Sequence, residues 1–71
     1  MLHLRVLMHT DRGVRSRRLV VEASRDNNPE LILEAARTAA MLALGAPRRD
    51  PLEIINRALA PYGTRAELKE S

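Results

Sequence analysis

The chain predicts an α+β fold: an antiparallel β-hairpin followed by two α-helices, ββαα, assembled as a homodimer. Three observations carry this. Residues 2–24 alternate apolar and polar on either side of one glycine turn. Two helical periodicities follow, at 29–45 and 51–62, each with capping residues. The chain has 71 residues, no cysteine and a single aromatic residue, Tyr62. Below roughly 70–80 residues one core supplies only about 3–5 kcal/mol, so a second copy is the expected source of further buried area. Residues 1–63 read as one domain and 64–71 as a polar C-terminal tail.

The first strand, LHLRVLMHT, places Leu2, Leu4, Val6 and Met8 on one face and His3, Arg5, Leu7 and His9 on the other. The second, RRLVVEAS, alternates Leu19, Val21 and Ala23 with Arg18, Val20 and Glu22. The turn falls around Asp11-Arg12-Gly13. A three-residue loop would mix charge into the apolar face, setting Val6 beside Arg18. A four-residue loop, Asp11 to Val14, pairs Thr10 with Arg15, Val6 with Leu19 and Leu4 with Val21, and is the expected register. Arg12 and Arg15 then sit at the tip, Arg5 and Arg18 on the outer face, and Arg17 extends the inner face beyond the helices. Leu7 and Val20 are apolar residues on the outer face. The ribbon has two open edges, suited to pairing in a dimer or to adding a partner's strand.

The first helix starts with Asn28 as N-cap, Pro29 in the first position and Glu30 against the helix dipole, and ends at Gly45. Its polar stripe is narrow: Glu30, Glu34, Arg37 and Thr38, continued by Met41. Leu31, Ala35, Ala39 and Leu42 form one apolar face, broadened by Ile32, Ala36 and Ala43. So wide an arc predicts burial on a second side, and this face is the expected dimer or partner interface. The second helix begins with Asp50 as cap, Pro51 and a capping-box Glu53. Leu52, Ile55, Leu59 and Tyr62 share a face, and Pro61 and Gly63 end it. The segment from Thr64, with Glu67 three residues on, reads as a frayed capped turn.

Charge divides the chain. Residues 1–25 carry six arginines against Asp11 and Glu22, a net +4; the remainder carries −1, which gives the total of +3. A basic third predicts an acidic partner, DNA or an acidic protein surface. The expected contacts are Arg5, Arg12, Arg15, Arg17 and Arg18 of the ribbon, with Arg48 and Arg49 before the second helix. A two-stranded ribbon can enter the major groove, and arginine holds phosphate or guanine bidentately. The plain alternative is a solvated basic surface that keeps the protein in solution.

Catalysis has little to stand on. His3 and His9 share a face but lie about 20 Å apart at ~3.3 Å per residue, too far to share a metal. Ser16 falls opposite His9 in the expected register, without an orienting acid or an oxyanion hole. No glycine-rich phosphate loop occurs, and no cofactor, metal or small-molecule substrate is expected. The start, MLHLRVLMH, is broken by His3, Arg5 and His9, unlike a signal peptide, and no apolar run approaches a membrane span, so a cytoplasmic protein is expected.

The strand RLVVEAS, the helix NPELILEAARTAAMLAL before Gly45, and the segment DPLEIINRALAPY resemble the strand–helix–helix order of ribbon-helix-helix regulators. The resemblance covers residues 18–62. It implies a dimer whose paired strands present Arg18, Val20 and Glu22 to the major groove, with the helix start at Arg49 and Asp50 on the backbone. The chain departs from that pattern in its added N-terminal strand, its long first helix and its longer connection RDNNP. The expected function is therefore a small non-catalytic binding protein, a regulator that contacts DNA or another polyanion. The other class is a protein inhibitor or adaptor that occludes a larger partner, for which exposed Leu7, Val20 and Met41 and the alanine-rich face speak.

Overall fold

A computed structural model describes residues 1–23 and 25–69. Ser24, at the end of the expected hairpin, and Glu70 and Ser71 of the expected tail lie outside the described residues. The elements are strands β1 (Leu2–Thr10) and β2 (Gly13–Val21), helices α1 (Pro29–Leu44) and α2 (Pro51–Leu59), a 3₁₀ turn (Ala60–Tyr62) and strand β3 (Ala66–Leu68). The class is α+β, and the order is ββααβ. The three strands form one antiparallel sheet in the order β1-β2-β3. The molecule measures 37 × 24 × 14 Å, thick enough for one sheet and one layer of helices.

The hairpin face follows from the alternation. Leu4, Val6 and Met8 of β1 and Leu19 and Val21 of β2 are all buried. Over them lies α1, whose buried residues are Ile32, Ala36, Ala39, Ala40 and Ala43. With one isoleucine among four alanines, the helix can sit close to the sheet, and branched side chains from the strands fill the space between. Ile55 and Leu59 of α2 complete the core, both fully buried. Each fully buried aliphatic side chain contributes about 1.5–3 kcal/mol.

Both helices start as expected. The Asn28 side chain accepts from the Glu30 amide at 2.9 Å, and Asp50 Oδ1 accepts from the Leu52 amide at 3.0 Å. Glu53 does not reach back to the cap: its carboxylate lies 3.7 Å from Arg57, one turn on. The second helix divides into α2 and a 3₁₀ turn, because Pro61 lacks the amide needed to continue the helical ladder. Gly63, at φ 69°, then reverses the chain.

Three expectations change. The hairpin turns over two residues, not four: Thr10 pairs with Gly13, Leu4 with Leu19 and Val6 with Arg17. Moving the partner by two residues preserves side-chain parity, so the faces stand while every cross-strand neighbour differs. Within the expected frayed tail, Ala66–Leu68 instead forms β3 on the far side of β2, with Leu19 opposite Leu68 and Val21 opposite Ala66. On α1, one residue of the expected interface face turns inward. Leu31 and Leu42 are exposed, whereas Ala39 belongs to the core.

Strand β3 is short, and side chains hold it. The Asn56 carboxamide donates to the Ala66 carbonyl at 3.2 Å and accepts from the Ala66 amide at 2.6 Å. The Thr64 hydroxyl donates to the Glu22 carbonyl, and the Lys69 amide donates to the Arg18 carbonyl at 2.9 Å. Ala66 itself is fully buried. Leaving two partly buried backbone groups without partners costs about 1–3 kcal/mol each. Asn56→Ala is therefore expected to lower stability by roughly 2 kcal/mol or more. It should also speed hydrogen exchange at Ala66 and Lys69 ahead of the hairpin. Unchanged exchange would mean that the segment is not held as β3.

Candidate nucleic-acid interface

The basic residues are arranged around one turn. Asp11 and Arg12 make the reversal between Thr10 and Gly13, and no residue other than glycine has positive φ among those described. The mirror-image hairpin turn is thus excluded, and Gly13, at φ 92°, supplies the left-handed step instead. Thr10 locks the turn: its hydroxyl donates to the Gly13 carbonyl at 2.7 Å and accepts from the Arg12 amide at 3.1 Å. Arg12 is therefore presented on a fixed backbone.

The two-residue turn redistributes the arginines. Arg15 pairs with Met8 and Arg17 with Val6, so both lie on the helix-side face of the sheet, past the area that the helices cover. Arg15 is exposed and folds its guanidinium back onto the Val14 carbonyl at 2.9 Å, while Arg17 is half-buried. Arg12, Arg15 and Arg17 line an open hollow with Thr10 and Asp11. Arg5 and Arg18 occupy the outer face, directly opposite each other. The sequence reading set Arg15 at the tip beside the outer face. Here Arg12, Arg15 and Arg17 gather at the turn end of the ribbon, while Arg5 and Arg18 lie on its outer face near mid-strand.

Arg48 and Arg49 join the same end. The His9 ring meets the Leu44 carbonyl at 2.9 Å, tying the last turn of α1 to the hairpin near its turn. The connection that follows Gly45 carries the exposed Arg48 and Arg49, and the Arg49 amide donates to the Ala46 carbonyl at 3.0 Å. The α2 start, with Asp50 as its cap, opens beside them.

These charges lack carboxylate partners among the described residues. Among the described residues the one ion pair is Arg57–Glu53, on the far helix. Arg18 Nε is buried and makes no hydrogen bond. Arg5 opposite Arg18 is a like-charge cross-strand pair, which disfavours the isolated fold by up to about 1 kcal/mol. An anion laid along this face would remove that cost.

No family model, curated protein or solved structure matches the chain. The residues must carry the assignment themselves.

The other expected residues are scattered. Arg18 and Val20 of the ribbon-helix-helix resemblance stand on the outer face of β2, between β1 and β3, and Val20 lies between His3 and Glu67. Glu22 falls past the end of the strand. Leu7 is 52 % exposed and Val20 half-buried. Leu31, Ala35 and Leu42 rim a groove between α1 and α2, with Ala39 on its floor at 2 % exposure and Ala58 and Tyr62 on its far wall. Ala39 is thus no contact residue, since its own core covers it. Ser16 faces Leu7, and His9, opposite Val14, is tied to Leu44, so the expected Ser16–His9 juxtaposition does not occur. Among the described residues no group of three or more His, Cys, Asp or Glu side chains could hold a metal, and no helix is long and apolar enough to cross a membrane.

Sequence reasoning missed His9 and Thr10 as positioning residues. Both looked like ordinary strand residues, and their roles depend on a register two residues away from the expected one. Gly13→Ala meets no atom closer than 3.7 Å, so its cost comes from φ alone. It is expected to lower stability by about 1–2 kcal/mol, and Gly13→Asn by less, read as thermal melting. Equal melting of all three proteins would contradict the left-handed step.

Proposed function

We propose that the protein is a small non-catalytic binding protein that grips a polyanion, duplex DNA foremost, with the arginine-bearing end of its hairpin. The observation that carries this is the gathering of unneutralised arginines. Arg12, Arg15 and Arg17 around the turn, Arg5 and Arg18 on the outer face, and Arg48 and Arg49 on the adjoining connection all lack a carboxylate within 4 Å among the described residues. A solvated surface does not require opposed arginines on a bare sheet, whereas a phosphate backbone matches them. The thin ribbon end, with charge on both faces, suits entry between two phosphate strands. In this reading the protein acts in the cytoplasm as a homodimer and a regulator, without cofactor or substrate. Ribbon-helix-helix-like contacts would be made by Arg18 from the middle of the sheet.

A second reading rests on a different surface. The groove rimmed by Leu31, at 50 % exposure, and Leu42, at 67 %, is apolar and open, with Glu34 and Thr38 at its border. A protein inhibitor or adaptor would use this face, and its partner would contact Tyr62 and Leu42.

The two separate by mutation. The wild-type chain is expected to bind a fluorescent random duplex at low salt, with affinity falling by roughly 0.9 in log K per log unit of salt for each phosphate contact. Arg12→Glu, Arg15→Glu and Arg48→Glu together should reduce that affinity by tenfold or more with unchanged melting, whereas Leu42→Asp should leave it intact. Binding that survives the triple charge reversal, or that is lost with Leu42→Asp, would overturn the assignment.

A further inference from the structure

The two edges of the sheet are treated differently. β3 is only three residues long, and Asn56 already occupies both polar groups of Ala66. β1 runs for nine residues in unbroken register with β2, and among the described residues no element pairs with its other edge. Edge strands are ordinarily protected by lysine, proline, a bulge or a charge pointing inward. β1 has none of these: its helix-side residues are Leu2, Leu4, Val6, Met8 and Thr10. The flank beside the edge is apolar as well. Leu7, Ala40, Leu44 and the 73 % exposed Met41 line a hollow there, bordered by Arg5 and Arg37.

We propose that this edge is the seam of a homodimer, in which β1 of two copies pairs antiparallel about a twofold axis at Val6 and joins two sheets into one of six strands. The inference rests on the dimer of the reading above and specifies its interface. Complementarity of the strand with itself selects the occupant and the register. Opposite residues of an antiparallel pair share a face, so the axis must fall on a residue rather than between two. An axis at Arg5 sets two arginines directly against each other. An axis at Leu7 leaves Leu2 and His3 unpaired. An axis at Val6 uses the whole of β1: Leu4 meets the partner's Met8, Val6 meets the partner's Val6, and Arg5 meets the partner's Leu7. No like charges then stand directly opposite across the seam.

With the axis normal to the sheet, both α1 helices lie on one side, and their Met41 and Leu44 flanks close over the seam. The bare outer faces join on the other side. Arg5 and Arg18 of both copies then lie on one continuous surface, which extends the polyanion-binding face across the axis.

The chain has no cysteine, so introduced thiols report contacts without interference. The full chain is studied as the wild type, as Arg5→Cys with Leu7→Cys, and as Leu42→Cys. At roughly 100 µM, where a dimer of micromolar affinity is mostly formed, sedimentation of the wild type should give twice 8.0 kDa. Mild oxidation should convert the strand double variant to a covalent dimer at least tenfold faster than the groove variant Leu42→Cys. A wild-type monomer would overturn the dimer and the seam together. A wild-type dimer with Leu42→Cys cross-linking as fast or faster would overturn the seam alone. Neither result alters the arginine assignment, which the duplex titration tests by itself.

Discussion

The packing of the alanine face of α1 on the inner face of the hairpin is the contact on which the rest depends. Leu4, Val6, Met8, Leu19 and Val21 cluster with Ile32, Ala36, Ala39 and Ala40 of α1, joined by Ile55 and Leu59 of α2, and the small alanines let α1 settle close to the sheet. A two-stranded ribbon is marginal alone. Once this layer forms, its consequences follow in order. The outer face of the sheet is left bare. The C-terminus of α1 is brought to the hairpin end, where His9 meets Leu44. The connection carrying Arg48 and Arg49 begins one residue beyond that contact. A larger side chain at an alanine of α1 would push the helix away and disperse the basic end as well as the core.

Much of this was legible in the chain. The alternation of LHLRVLMHT gave the buried face of β1 correctly, since parity is set by the two-residue period alone. The caps Asn28 and Asp50 located both helix starts to the residue. Register was not legible, because loops of two and four residues share the same parity and differ only in neighbours. The choice was settled by the Thr10 hydroxyl and the glycine step, which act through space rather than through pattern. β3 escaped notice for a related reason. Three residues with one buried alanine give no periodic signal, and the strand exists because Asn56, ten positions earlier, supplies its edge with a donor and an acceptor.

The site was legible in its membership and not in its shape. Composition pointed to the arginines of the N-terminal third, and the structure leaves them without carboxylate partners among the described residues. Their division between the faces followed only from the turn. Arg15 and Arg17 stand with Met8 and Val6 on the helix side, and Arg5 and Arg18 stand outside. The apolar arc of α1 is divided between the core and the surface. Ala39 is spent on the core, while Leu31 and Leu42 remain free. The molecule thus carries a basic end and a separate apolar groove, and a partner that uses one need not touch the other.

The central claim is that the hairpin end, and not the groove, meets the partner. Backbone amide shifts of the isotope-labelled chain, recorded while a short random duplex is added at low salt, test it most directly. The account predicts shifts concentrated at Thr10–Arg18 and at Arg48 and Arg49, reversed by moderate salt. Shifts confined to Leu31, Leu42 and Tyr62, or none at any salt, would contradict it.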